Sequence, residues 1–422
     1  MEEGGPPVNP AVPLVKLNAI QVLALACFGV VMGIWLKRRI PLLDRLSIPA
    51  SIAGGLVYAL VALALRDRWA NFEMDLALRD ILMIGFFTTI GMSASTRLIR
   101  VGGPQVLWFF LLASLGAGLQ NLLGLGMAKM FGLDPLVGLL AGSVTQMGGP
   151  ATALAFGATF EKLGVPAATT IGLAGATWGI VAGGLLGGWL GSLLVERHRL
   201  HPQARAAAGA GGAGSIVYAG DAAIDAPGPL EGESESEHSS LFRSVLAVSI
   251  AMGIGSLISA GFERLGLILP AYVGAMLAAA AMRNLDDRLG FAGVSQHTVD
   301  AVGRVSLSIF IVMALLTLRL WELANLALPM LIMLLAQIVL AGILCTGACF
   351  RLMGRDYEAA VMSGGFCGFM LGTTANGVAC MEELVRKFGP APRAFIVVPL
   401  VGAFLIDFSN ALIITTITNL VR

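Results

Sequence analysis

The sequence predicts an all-α, polytopic membrane protein of about ten transmembrane helices, arranged as two inverted five-helix repeats that each carry a re-entrant helical hairpin. Three observations predict it. Hydrophobic residues make up 57 % of the 422 residues and charged residues 13 %, with a mean hydropathy of +0.84. Soluble domains carry about 25 % charge, so a water-soluble enzyme and a disordered chain are both excluded. Apolar runs of membrane-spanning length recur along the chain with polar breaks between them. Two further apolar stretches are interrupted in the middle by Gly, Pro and Thr. The 27 Lys and Arg nearly cancel the 26 Asp and Glu, which leaves no basic field for nucleic acid.

The elements follow in order. The tail, 1–16, lacks a basic leader, so the first run, Leu17–Trp35, reads as a retained span; it closes on Lys37, Arg38 and Arg39. Ile48–Leu65 is the second span, Ile81–Ala94 the third and Val106–Phe131 the fourth. The first interrupted stretch, 136–163, comes next, and Ala167–Val195 completes a first repeat over 17–200. A polar stretch over 201–242, with the acidic run Glu231–Glu237, reads as a flexible linker. The second repeat, 243–422, holds spans at Val245–Phe262, Ile268–Met282, Val305–Leu318 and Leu326–Phe350. The second interrupted stretch, 357–388, and the span Ala394–Val421 end it. Placing both termini outside puts most basic residues in the cytoplasm, among them Lys37, Arg38, Arg39, Arg45, Arg197, Arg199, Arg351, Arg355 and Arg386. The linker is then cytoplasmic.

The halves echo each other. Ile48-Pro49-Ala50 matches Leu269-Pro270-Ala271, and Gly132-Leu133-Asp134 matches Gly354-Arg355-Asp356. Gly142-Ser143 stands opposite Gly364-Gly365, and Lys162 to Pro166 resembles Arg386 to Pro390. With an odd number of spans per half, the second half is inverted. Inverted repeats with discontinuous helices are the architecture of secondary transporters. In the first interrupted stretch, Leu136–Thr145 measures about 15 Å as helix and Ala151–Lys162 about 18 Å, each about half of a ~30 Å hydrocarbon core. The second has arms at Tyr357–Gly365 and Asn376–Phe388 around a break expected over Phe366–Ala375.

The breaks supply the candidate site. Gly148 and Gly149 permit a turn and close approach of a ligand, Pro150 suits the start of a returning helix, and Thr152 adds a hydroxyl. Thr373 or Thr374 can cap a helix starting near Asn376. Ser143, Thr145 and Gln146 complete the polar set expected at substrate. Unpaired N–H groups at helix starts attract anions, so two such starts hold a carboxylated substrate without a buried cation. Packing is the alternative role for these Gly and Thr residues. Asp407 lies inside the last span with Asn410 on the same face, and Gln120-Asn121 sits in the middle of the fourth. These oxygens suit a hard monovalent cation, Na⁺. A protonated structural acid and interhelical hydrogen bonding are the alternatives. Gly183, Gly184, Gly187, Gly188 and Gly191 form overlapping GxxxG patterns, read as close helix contact, with a sliding or dimer surface as the other reading.

These residues resemble the bacterial sodium/glutamate symporters. The likeness runs through Phe72–Gly91, Leu133–Gly149, Val305–Gln337, Phe388-Gly389-Pro390 and Val398–Leu412. It implies an importer of L-glutamate coupled to Na⁺ in the bacterial inner membrane, not an enzyme. It also implies a homodimer and an elevator-like shift between access states. Gln120, Asn121, Gly142, Ser143, Gly148, Gly149, Asp407 and Asn410 sit at matching positions. Two tips depart from the family's pattern: Met147-Gly148-Gly149-Pro150-Ala151-Thr152 where the family reads Ser-Gly-Gly-His-Gly-Thr, and Gly372-Thr373-Thr374-Ala375-Asn376-Gly377 where it reads Gly-Ala-Thr-Pro-Thr-Ala. The alternative function is therefore a Na⁺-coupled symporter of another dicarboxylate or hydroxy-carboxylate. An intramembrane aspartyl protease would need a second carboxylate near Asp407, and a channel would need a ring of like charges or a filter repeat.

Overall fold

The computed structural model describes residues 12–45, 48–66, 68–95, 103–202, 235–290, 294–318 and 326–422. A short strand β1 (Leu14–Leu17) precedes α1 (Ala19–Arg39), the short α2 (Pro41–Arg45) and α3 (Ala50–Leu65). Strand β2 (Asn71–Met74) and α4 (Ala77–Met92) follow, then the long α5 (Gly103–Met130). The first broken segment is α6 (Pro135–Leu139), a π turn (Leu140–Val144) and α7 (Gly149–Lys162); α8 (Ala168–Arg197) comes after it. The second half holds α9 (Glu235–Arg264), α10 (Ala271–Leu289), α11 (Gln296–Leu316) and α12 (Ala327–Leu352), the last with a π turn at Leu344–Cys349. The second broken segment is α13 (Tyr357–Leu371) and α14 (Thr374–Phe388). The chain ends in α15 (Ala394–Leu400), a π turn (Val401–Leu405) and α16 (Ile406–Val421), continuous with one another.

Every apolar run read from the sequence falls on a helix, and among the described residues six helices are long and apolar enough to cross a membrane: α1, α5, α8, α9, α11 and α12. This is an all-α membrane protein. The linker expected over 201–242 lies for the most part outside the described residues, and its last residues, from Glu235, belong to α9. Polar side chains set several helix starts. Asn18 and Gln21 cap each other's backbone N–H groups at 2.9 and 3.0 Å at the head of α1, a reciprocal arrangement that satisfies two orphan donors. Asp134 accepts from Leu136 N at 2.8 Å and Asp356 from Ala359 N at 2.8 Å, so the two matched Gly-x-Asp sequences do the same work. Pro49 (φ −56°, ψ 142°) and Pro270 (φ −54°, ψ 144°) lead into α3 and α10 with nearly the same backbone.

The helices sort into two groups. α1, α3 and α4 pack with α9, α10 and α11; α5 to α8 pack with α12 to α16. Each group takes a matching portion from each half of the sequence. Contacts between the groups run mainly through α7 and α16. There Phe156 on α7 meets Tyr272 on α10 edge to face at 5.4 Å, and Tyr272 meets Phe87 on α4 at 4.8 Å. Inside the second group, α8 is the seat of the second broken segment. A Cβ on Gly179 would lie 2.1 Å from Leu371 O, and one on Gly187 would lie 2.6 Å from Cys380 Sγ and 2.7 Å from Gly364 O. The absence of side chains along this stripe lets α13 and α14 pack backbone to backbone on α8, in keeping with the close-contact reading of the GxxxG patterns.

Candidate functional site

The first broken segment has two discontinuities. Within the π turn Gly142 leaves helical geometry (φ −92°, ψ −139°). The chain then turns at Met147-Gly148, and Gly149 opens α7 at φ +62°, a conformation that a Cβ resists. Pro150 sits in the first turn, where its missing N–H costs nothing. The second segment breaks more narrowly than the sequence suggests. α13 continues to Leu371 and α14 resumes at Thr374, so the break is Gly372-Thr373 and not Phe366–Ala375. The extra turn survives because Gly364, Gly365 and Gly368 lie against α8 and α14, where their small size aids contact instead of weakening the helix. Gly142-Ser143 and Gly364-Gly365, matched in sequence, therefore differ locally: one pair is kinked and the other is helical.

The two breaks meet. A Cβ on Gly149 would lie 2.7 Å from Thr373 Cγ2 and 3.4 Å from Gly372 O. The N-termini of α7 and α14, two regions of unpaired N–H groups, thus abut. Thr373 is the cap of α14, its Oγ1 accepting from Asn376 N at 3.4 Å. Thr374 Oγ1 donates to Gly402 O at 2.7 Å, a carbonyl in the π turn ahead of α16, where the wider winding removes an α-helical hydrogen bond. Thr152 folds over Gly148, whose Cβ would lie 2.5 Å from the threonine Cβ. Thr145 Oγ1 accepts from Gln146 Nε2 at 3.0 Å. Gln146 also donates to Gly175 O at 3.2 Å, and Asn376 Nδ2 donates to Ile180 O at 2.7 Å, both carbonyls lying on α8.

Ser143 belongs to a second cluster deeper along the first segment. Its N–H donates to Asn121 Oδ1 at 3.0 Å and its hydroxyl to Asn410 Oδ1 at 2.6 Å; Asn410 Nδ2 donates back to Ser143 O at 3.2 Å. Gln120 Nε2 donates to Met370 O at 2.8 Å, the carbonyl one residue before the end of α13. Asp407 lies one turn before Asn410, and no hydrogen bond or ion pair to it is found among the described residues. Two residues of this neighbourhood are new. Gln337 on α12, fully buried, donates to Gln120 O at 2.8 Å. It is a polar residue inside a strongly apolar run, the same signal that marks Asp407. Gly402 contributes only its carbonyl, and no side-chain pattern points to it. Apart from Asp407, the residues expected at substrate and at Na⁺ thus fall into adjoining groups, linked through Ser143 and Gln120.

Comparison with known proteins follows the same lines. Residues 15–390 match the family model described as Sodium/glutamate symporter. A protein of Escherichia coli named Sodium/glutamate symporter is 37 % identical over 401 residues, 94 % of this chain and 96 % of that protein. A Haemophilus influenzae protein of the same name is 35 % identical over 400 residues, 93 % of this chain and 95 % of that protein.

Proposed function

The chain belongs to the sodium/glutamate symporter family, and from that premise we propose that it imports L-glutamate across the bacterial inner membrane by symport with Na⁺. It is a transporter, not an enzyme. The observation that carries the substrate class is the abutment of Gly149 and Thr373, which aims two helix N-termini at one place. Carboxylates are the groups such ends attract, and the described residues provide this pull without a Lys or Arg between the tips. Na⁺ travels as co-substrate. Asp407, Asn410, Gln120 and Asn121 offer the oxygens for it, next to the kinked Gly142 and the clamped Ser143. Glutamate carries net −1 near pH 7. Two or more Na⁺ per substrate would then move positive charge inward, each charge gaining about 2.3 kcal/mol per 100 mV.

We read the two halves as inverted repeats, 17–200 and 243–422, and the broken segments as re-entrant hairpins. The matched caps at Asp134 and Asp356 and the matched backbones at Pro49 and Pro270 support that reading. So does the antiparallel return of α14 along α13, where Gly368 lies by Cys380 and Gly365 by Met381. The division into two helix groups supports an elevator-like mechanism, with α1, α3, α4 and α9 to α11 as the frame and the other group moving. Both termini outside, a cytoplasmic linker and a homodimer complete the proposal. Uptake of labelled glutamate into proteoliposomes should require an inward Na⁺ gradient. Equal uptake with K⁺ in place of Na⁺ would overturn the reading. Asp407→Asn should raise the Na⁺ concentration for half-maximal uptake; an unchanged value would clear Asp407 of ion binding. A panel of dicarboxylates and hydroxy-carboxylates as competitors tests the alternative that the two altered tips raise.

A further inference from the structure

Two buried amides, one from each broken segment, are held in the same way. Gln146 is 0 % exposed and Asn376 is 2 % exposed. Each points its NH₂ at a backbone carbonyl of α8: Gln146 at Gly175 O and Asn376 at Ile180 O. A carbonyl can only accept, so the nitrogen must face it and the amide oxygen must face away. Both oxygens, Gln146 Oε1 and Asn376 Oδ1, lack a hydrogen-bond partner. Unmet acceptors at such depth are costly, on the order of 1–3 kcal/mol each, and uncommon enough to require an explanation.

Two glycines of α8 mark where the amides and the end of α13 pack. The position a Cβ would take on Gly179 lies 3.1 Å from Gln146 Oε1 and 2.1 Å from Leu371 O. Leu371 ends α13, where the last carbonyls have no partner inside the helix. The corresponding position on Gly183 lies 3.0 Å from Leu371 Cβ and 3.2 Å from Asn376 Nδ2. Gln146, Asn376 and Leu371 therefore pack along one stretch of α8.

We propose that Gln146 Oε1 and Asn376 Oδ1, the unpartnered acceptors beside the paired helix N-termini, take the α-ammonium of the substrate. The proposal rests on the reading of the chain as a carrier of an anionic amino acid and names the groups that select for the amino function. An ammonium offers three donors, and the two amides offer neutral acceptors to it. The two parts of the site are complementary in sign: N–H groups of α7 and α14 face the carboxylates, and oxygens against α8 face the cation. A hydroxy-acid offers a single donor there, and a plain dicarboxylate offers none. Na⁺ is the other small cation that neutral oxygens accept, and the test separates the two.

Labelled glutamate uptake into proteoliposomes, under a fixed Na⁺ gradient, is challenged with unlabelled L-glutamate, 2-hydroxyglutarate and glutarate. The wild type should discriminate against both analogues. Gln146→Met and Asn376→Leu keep the approximate size and remove the acceptor. Each should raise KM for glutamate by about tenfold or more while leaving inhibition by glutarate close to wild type. Unchanged inhibition by glutarate in these variants shows the carboxylate-binding part of the fold intact, which guards against misfolding as the cause. Equal competition by glutarate in the wild type would overturn the proposal. So would a parallel loss of both ligands in the variants. A raised Na⁺ requirement with unchanged discrimination would assign the two oxygens to Na⁺ and overturn it too. Failure of the carrier reading itself shows separately, as wild-type protein that does not take up glutamate with Na⁺.

Discussion

Ser143 has every polar atom engaged within the protein. Its N–H, hydroxyl and carbonyl reach Asn121, Asn410 and, through the carbonyl, also Gly148 N at 2.9 Å. Asn121→Leu would strand a buried N–H at a kinked turn. The expected cost is about 1–3 kcal/mol, visible as a lower thermal midpoint of the detergent-solubilised protein; an unchanged midpoint would show that the N–H finds another acceptor. The polarity of Asn121 and Asn410 was legible in the sequence, because amides inside apolar runs stand out. Their pairing was not. Ser143 and Asn410 are 267 positions apart, and no local rule of spacing connects residues across two halves of a chain. Gln337 was legible on the same grounds as Asn410, whereas its target, the Gln120 carbonyl, is set by packing alone.

α8 shows the same division at the level of a helix. Its glycine spacing announced a close contact, but the partner is fixed by tertiary structure: α13 and α14 lie along it. Gly187→Ala should clash with Cys380 Sγ and Gly364 O and destabilise by about 1–3 kcal/mol. Gly118→Ala, on α5 with nothing within 4 Å of the new Cβ, should instead be neutral or stabilise by about 0.5–1 kcal/mol through helix propensity. Thermal midpoints of the two variants in one detergent make the comparison, and a fall of the same size in both would refute the packing argument. Most helix ends are legible to within a few residues because polar breaks and caps are local, but α9 begins at Glu235 and not Val245, α11 at Gln296 and not Val305, and α10 runs on to Leu289, because polar residues extend a helix without an apolar mark. The π turns at Leu140–Val144, Leu344–Cys349 and Val401–Leu405 are not legible in the sequence. One extra residue per turn leaves the apolar pattern almost intact, so it carries no compositional mark. The break at Gly372-Thr373 is narrower than the sequence suggests for a related reason: glycines that serve helix contact look, in sequence, like glycines that end a helix.

For the molecule as a whole, the two helix groups make a prediction about access. If the second group moves against the first, single cysteines at Gly149 and at Ala375 should change their reactivity toward a membrane-impermeant thiol reagent when Na⁺ and glutamate are added. The first should label from outside and the second from the cytoplasm, in at least one state. Labelling of both from one side only would contradict opposed hairpins. Another constraint comes from the smallest element. β1 and β2 pair in parallel, Leu14 with Asn71 through Leu17 with Met74, and Lys16 Nζ lies 2.8 Å from Glu73 Oε2. Backbone hydrogen bonds cannot reach across a hydrocarbon layer, so this two-strand stitch obliges the peptide before α1 and the peptide after α3 to share one aqueous compartment. An epitope ahead of Leu14 and a protease site engineered at Ala70 must then answer from the same face of a sealed vesicle, whichever way round the protein was inserted.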